Sequence, residues 1–191
     1  YKTLTSSQIF YGKGTSDQGC VASASYQVNV HPIPSFTIDG PESVCAGSLV
    51  TLVASDLSGS SVFQWSNGML GATCQTYMDE TTTFEVVGTD TLSGCFTKRY
   101  LKVDVIPLPE VAVTGVTTVC RGLPVSLTAT GASSYVWNDG STSNTFVSTP
   151  NTNLSLWVEG TTGGCTARVD VPVTGVPAPL VVVGGAHGLV Q

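Results

Sequence analysis

The chain is 191 residues long, 41% hydrophobic and only 10% charged, with 21 Gly and 10 Pro. It is too apolar for a disordered chain and too poor in Lys, Glu and Leu runs for a helical one. The net charge of −6 and basic residues that never cluster argue against nucleic acid or anionic lipid as a partner, and no apolar run approaches the ~20 residues that span a bilayer.

In chain order, the first element is a hairpin. "GKGTSDQGC" ends at Cys20 and is followed by the alternating run "VASASYQVNV" (21–30). Residues 12–19 are expected to form its turn. No helix follows the glycines, so this is not a phosphate-binding loop. Next comes "VNVHPIPSFTIDG", where Pro32 and Pro34 interrupt the alternation. Proline cannot donate to a β ladder, so one strand ends there and another begins. The same punctuation recurs at Pro107 and Pro109 and at Pro177 and Pro179. From Pro34 to Pro109 is 75 residues and from Pro109 to Pro179 is 70, so the chain is an internal repeat.

Aligned on these marks, "SVCAGSLVTLVASDLSGSSVFQWSNG" (43–68) lies over "TVCRGLPVSLTATGASSYVWNDG" (118–140). Cys45, Gly47, Leu52, Trp65 and Gly68 meet Cys120, Gly122, Leu127, Trp137 and Gly140. The second halves also match, ending in "SGC" at Cys95 and "GGC" at Cys165. The domain boundaries that follow are 1–32 (the last part of a truncated repeat), 33–107 and 108–177 (complete repeats) and 178–191 (the start of another). In the copy at 108–177, period-2 runs predict strands near 110–114, 124–130, 134–138, 143–148, 154–160 and 165–173. Six or seven short strands in such a length, with a Trp in the third, describe a small β-sandwich. Trp65 and Trp137 are expected between its sheets. The fold class is therefore all-β, with tandem small β-sandwiches arranged end to end.

The pattern "VCxG" with Val and Leu at alternate positions, then an aromatic-x-W-x-x-G, then "GC" before a last alternating strand resembles a known group. It is similar to the immunoglobulin-like, PKD-related repeats of large Bacteroidota surface proteins, including gliding-motility adhesins and other type IX secretion cargo. The resemblance covers essentially the whole chain. It implies a non-enzymatic, extracellular chain, attached at the outer membrane or secreted, whose repeats form a stiff stalk or filament. Its partners would be other repeats of the same chain, itself in a filament, and surface glycans or a host ligand bound through regions outside this sequence. No initiator Met, signal peptide or sorting tail is present, which suggests a piece of a longer polypeptide.

Six cysteines in a Lys-poor chain fit an oxidising compartment. Pairing Cys45 with Cys95 and Cys120 with Cys165 gives one bridge per repeat. Closing about 50 residues would stabilise each repeat by roughly 4 kcal/mol in the chain-entropy model. If the strand order is that of an ordinary Ig-like sandwich, however, Cys45 and Cys95 fall at opposite ends. Bridged Cα atoms lie within roughly 7 Å, and a five-residue strand already spans about 16 Å. The alternative is a bridge between neighbouring repeats, Cys45 with Cys165, and both pairings stay open at this point. Cys20 would find its partner upstream. Cys74 aligns with Phe146 and is expected as a buried, inert thiol.

Little else bears chemistry. His31 lies at a linker and His187 in the incomplete last copy, neither with an acidic neighbour repeated in the complete copies. The cysteines lack zinc spacing and the acids at 78–80, Asp39, Glu42 and Asp139 are scattered. No catalytic, metal-binding or cofactor-binding residue is expected, and no cofactor. Trp157 aligns with Glu85, an outward position, so its indole is a candidate for stacking on a sugar, with Tyr77 and Tyr100 as weaker ones. That motivates an alternative function, a carbohydrate-binding accessory array of a secreted polysaccharide-degrading enzyme. "NLS" (153–155) is a formal glycosylation sequon that means little on a bacterial protein, and "DTL" (90–92) resembles the short O-glycosylation pattern of Bacteroidota and marks Thr91.

Overall fold

The computed structural model describes residues 3–57 and 59–181. His187 and most of the expected last copy lie outside these residues. Among the described residues every regular element is a β-strand. The chain divides into two compact units between Val105 and Ile106, and each is taken by itself.

The first unit begins with a hairpin of β1 (Gln8–Thr15) and β2 (Val21–Val28), in antiparallel register from Gln8 opposite Val28 to Thr15 opposite Val21. The turn is tighter than the expected 12–19. Gly12 to Thr15 belong to the ladder, and the reversal is made by Ser16–Cys20, closed by Ser16 N–H to the Cys20 carbonyl and Gly19 N–H to the Ser16 carbonyl. The glycines of 12–15 were read as turn formers, but cross-strand pairing holds them extended.

Seven strands complete the unit: β3 (Phe36–Asp39), β4 (Ser43–Cys45), β5 (Ser48–Asp56), β6 (Ser61–Trp65), β7 (Thr73–Met78), β8 (Thr82–Asp90) and β9 (Phe96–Ile106). They form a three-stranded sheet, β3-β5-β7, and a four-stranded sheet, β4-β9-β8-β6. Alternation on β5 sends Val50, Leu52 and Ala54 inward and Thr51, Val53 and Ser55 outward. The inward set meets Phe63, Trp65, Phe84, Val86 and Val103 of the other sheet in one core. Trp65 sits at its centre, 2% exposed, its ring edge-on to Phe84 and its Nε1–H donating to the Gly71 carbonyl at 2.9 Å. That bond lets a large polar-tipped ring be buried without an orphaned donor.

The second unit repeats the plan with β10 (Ala112–Gly115), β11 (Thr118–Cys120), β12 (Val125–Thr130), β13 (Ser134–Trp137), β14 (Thr145–Ser148), β15 (Leu154–Thr162) and β16 (Cys165–Val176). Its sheets are β10-β12-β14 and β11-β16-β15-β13. The repetition extends to single residues. Trp65 pairs with Val86 and Trp137 with Val158, while Leu52 pairs with Cys74 and Leu127 with Phe146. Trp137 is fully buried, and its Nε1–H donates to the Ser143 carbonyl at 2.9 Å. A sheet of three packed on a sheet of four, with the opening strand shared between them, is an immunoglobulin-like sandwich.

The expected strands are all present, but one was missed. The opening strand of each sandwich is broken in two, and its second piece (β4 or β11) crosses to the other sheet, so the Trp lies in the fourth strand and not the third. In the second unit the break follows Gly115, whose φ of 136° and whose backbone, against the Ser126 carbonyl, leave no room for a Cβ. β11 then pairs parallel with the end of β16. Three residues are too few for alternation to show. The partner strand decides their conformation.

Candidate functional site

The cysteines correct the first pairing considered above. Cys45 and Cys165 are disulfide-bonded. Cys20, Cys74, Cys95 and Cys120 are free, so the one-bridge-per-repeat scheme, which needs Cys95 and Cys120 oxidised, does not form. Strand length gives the reason. β4 lies beside the far end of β9, with the Asp104 N–H donating to the Glu42 carbonyl, whereas Cys95 precedes the first residue of β9. Eleven residues of strand separate the two ends, on the order of 30 Å at about 3.3 Å per residue, against the ~7 Å a bridge tolerates. In the second unit Cys120 pairs with Val176 at the end of β16 and Cys165 opens the same strand. The same distance forbids their union.

Cys74 occupies the register position of Phe146 and is fully buried. The Asn67 Nδ2 donates to its sulfur at 3.2 Å and Met69 Sδ lies 3.5 Å away. It is a core side chain with no route for a reagent.

The outward faces of the four-stranded sheets carry the polar chemistry. On β8 and β9, Lys98 Nζ lies 2.7 Å from Glu85 Oε1 and the Tyr100 hydroxyl donates to Oε2 at 2.8 Å. Lys98 first and Tyr100 second hold the Glu85 carboxyl below its usual range. The same contacts raise both partners. At the equivalent place on β15 and β16 stands Trp157, half-buried, opposite Asp170. The Arg168 guanidinium lies over its ring at 4.3 Å and is itself held by Asp170 at 3.0 Å. One face of the indole faces the cation and not solvent, a preferred contact for Arg. Trp157 is thus an outward aromatic, as expected, but it is already stacked. We expect Arg168→Ala to red-shift Trp157 emission and raise its quenching by iodide, with little change in the unfolding midpoint. Unchanged quenching would show the guanidinium does not cover the ring in solution. Tyr77 and Tyr100 are exposed, with Tyr100 engaged by Glu85.

Thr91, the marked O-glycosylation position, is exposed in the turn between β8 and β9, where its hydroxyl donates to the Ser60 carbonyl. The preceding Asp90 organises that turn. Its carboxylate accepts from the Ser60 hydroxyl at 2.7 Å, from the hydroxyl and N–H of Ser93 at 2.7 Å each, and from the Leu92 N–H. Sequence alignment did not single it out, although an Asp two and three residues before the amides it binds is an Asx-turn signature. Ser60 and then Ser93 hold the Asp90 pKa down to about 2, from 3.8. A lowered carboxyl pKa contributes stability that is present above the unfolded value and lost as pH falls through the folded one. Asp90 therefore supports the turn fully above about pH 4 and loses that support toward pH 2. A carboxyl NMR titration checks this, and Asp90→Asn is expected to remove that part of the acid dependence. A midpoint near 4 for Asp90 would contradict it.

His31 is exposed between β2 and β3. Among the described residues no polar or charged side chain is buried, and no three of His, Cys, Asp and Glu are placed to hold a metal. A groove runs between β6 and residues 70–72, lined by Val62, Phe63, Leu70 and Val87 together with the polar Ser61, Gln64 and Thr89. Among the described residues no helix is long and apolar enough to cross a membrane.

No protein family matches the chain, and no curated protein does. Among solved structures, it is similar to the fibronectin(III)-like modules of CbhA from Clostridium thermocellum, at 16% identity over 80% of this chain and 100% of that one, with a TM-score of 0.37. It is similar to murine CEACAM1b at 14% identity over 74% of this chain and 100% of that one, with a TM-score of 0.33. An ICAM-5 ectodomain fragment matches at 10% identity over 87% of this chain and 55% of that one, with a TM-score of 0.42.

Proposed function

We propose that this chain is a structural and adhesive segment of a long, non-enzymatic surface or secreted protein, of the Bacteroidota adhesin type its repeats resemble. One observation carries the reading. Two immunoglobulin-like sandwiches recur with the same sheet order and the same core register, residue for residue, on either side of a Pro-x-Pro joint. Recurrence of a scaffold supports a mechanical role, because each complete copy repeats the same architecture and core. Proline at the joints limits slack, so the array acts as a stiff spacer. Stacking of Arg168 on Trp157 weighs against the carbohydrate-binding alternative, since a sugar ring would have to displace a held cation.

Cys45 and Cys165 are oxidised while Cys20, Cys74, Cys95 and Cys120 are free, and oxidised cysteines support the extracellular part of this reading. Two measurements test the proposal. Small-angle scattering is expected to give an elongated envelope, and a compact globule would overturn the spacer reading. Alkylation without reduction is expected to label Cys20, Cys95 and Cys120 and to leave Cys45 and Cys165 unlabelled, and labelling of Cys45 or Cys165 would overturn the oxidised assignment.

A further inference from the structure

We propose that one face of the β1–β2 hairpin is an assembly site for five strands of the β3–β7 kind, carried by the same polypeptide ahead of the hairpin. Together they make a further immunoglobulin-like sandwich. This concerns the hairpin alone and holds whether or not the array is a stiff spacer.

Register carries the inference. "FYGKGT" (10–15) lies over "FEVVGT" (84–89) and "LWVEGT" (156–161), and "YQVNVHPIP" (26–34) over "LKVDVIPLP" (101–109) and "VPVTGVPAP" (171–179). The ladders agree with this alignment. Phe10 pairs with Tyr26 as Phe84 pairs with Leu101 and Leu156 with Val171. Gln8 pairs with Val28 as Thr82 pairs with Val103 and Leu154 with Val173. The hairpin is thus the counterpart of β8–β9 and β15–β16, the two strands that end each complete sandwich.

In the complete copies this face is covered. Phe84, Val103, Leu156, Val171 and Val173 are buried, and Leu101 packs against the core of its unit. On the hairpin, Phe10 is 43% exposed and Tyr26 74%, and no residue of either strand is buried. A glycine marks what would lie above. At Gly88 a Cβ would fall 2.6 Å from the Phe36 ring, and at Gly160 2.5 Å from a Val111 methyl, so each lies under the opening segment of its own sandwich. Gly14 pairs with Ala22 as Gly160 pairs with Ala167, but a Cβ there would meet nothing within 4 Å.

Both edges are open as well. β9 and β16 carry β4 and β11 on one side, and β8 and β15 carry β6 and β13 on the other. Among the described residues β1 and β2 form a sheet of two. A lone hairpin is marginal in water, and a packed sheet and paired edges are what stabilise such a pair. In both complete copies the five strands that supply these come directly before the hairpin, which places the occupant ahead of β1. Its core differs from theirs in detail. Gly12 stands where Val86 and Val158, the register partners of Trp65 and Trp137, are fully buried, while Tyr26 is larger than Leu101 and Val171. Volume lost at one place is regained at the other, the kind of exchange a packed core tolerates best.

The test replaces residues 1–7 by a second copy of residues 33–81, so that Thr81 of the copy precedes Gln8 as Thr81 precedes Thr82. Hydrogen exchange read by mass spectrometry is expected to show amides of 8–28 exchanging at least about tenfold more slowly than in the parent chain. Gly14→Val is expected to abolish that protection, because its side chain would meet the added Phe ring, and to leave the parent chain unchanged. Gly12→Val with Tyr26→Leu, which supplies the residues of β8 and β9 at those places, is the control that the added strands fold. Protection in that control but not with the native hairpin would overturn the inference, as would exposure of the hairpin in both. So would protection that survives Gly14→Val. Protection of the parent's own hairpin that rises with concentration would overturn it in favour of a second copy as the occupant.

Discussion

Trp137→Ala is expected to leave the second sandwich at or below the threshold of folding. The ring is fully buried, packs at 5.1 Å on Phe146 and satisfies its one donor on the Ser143 carbonyl. Truncating a buried Trp costs about 3–5 kcal/mol, the transfer term plus the cavity left behind. A small domain has roughly 5–15 kcal/mol in all, and one of this size lies toward the low end because little of its surface can be buried. Guanidinium unfolding followed by circular dichroism is expected to show an early transition absent from the parent, with Trp137→Phe keeping more than half of the lost stability. A midpoint unmoved by the Ala substitution would mean that the indole does not fill the space between the sheets. Trp65→Ala is expected to act in the same way on the first sandwich, where the ring has the same hydrogen bond and the same register.

The second large effect is expected at a residue with no side chain. Gly131 has φ of 93°, and a Cβ there would fall 1.9 Å from the Glu110 carbonyl oxygen. A left-handed conformation costs an L-residue about 1–2 kcal/mol, and displacing the neighbouring backbone adds a steric term of about 1–3 kcal/mol. Gly131→Ala is thus expected to lose about 3 kcal/mol by the same unfolding measurement. The comparison is Gly140→Ala, which has a similar φ of 86° but open space around its Cβ and should lose only the backbone term. Equal losses at the two positions would show that the contact with residue 110 is relieved without cost.

Much of this molecule was legible in the chain itself. Period-2 runs named the strands of the second complete copy apart from β11, and the matched Trp65 and Trp137 named the centre of each core. Aligning Cys74 with Phe146 predicted a buried thiol, because a position that accepts Phe in one copy is lined with apolar atoms in the other. Trp157 was placed outward by its match to Glu85. The sequence could not say what lay above the indole, since Arg168 reaches it only through the register of β15 on β16. Nor did spacing reveal the Asp90 turn as a polar centre, since the Asp-Thr-Leu-Ser string contains Leu92 and Ser93 but the third partner, Ser60, comes from thirty residues earlier.

What the sequence determined by itself was local and periodic. Alternation, turn glycines and interrupting prolines set the strands, their inward faces and the length of the repeat, because each depends on neighbours within a few residues. Tertiary structure decided what depends on distance across the fold. It split the opening strand between two sheets, because β11 takes its conformation from β16, and it excluded bonds between cysteines of one repeat, because a full strand holds them apart. It also covered Trp157 with a cation. A residue carries its pattern along the chain, but its partners are chosen only once strands from distant segments lie side by side.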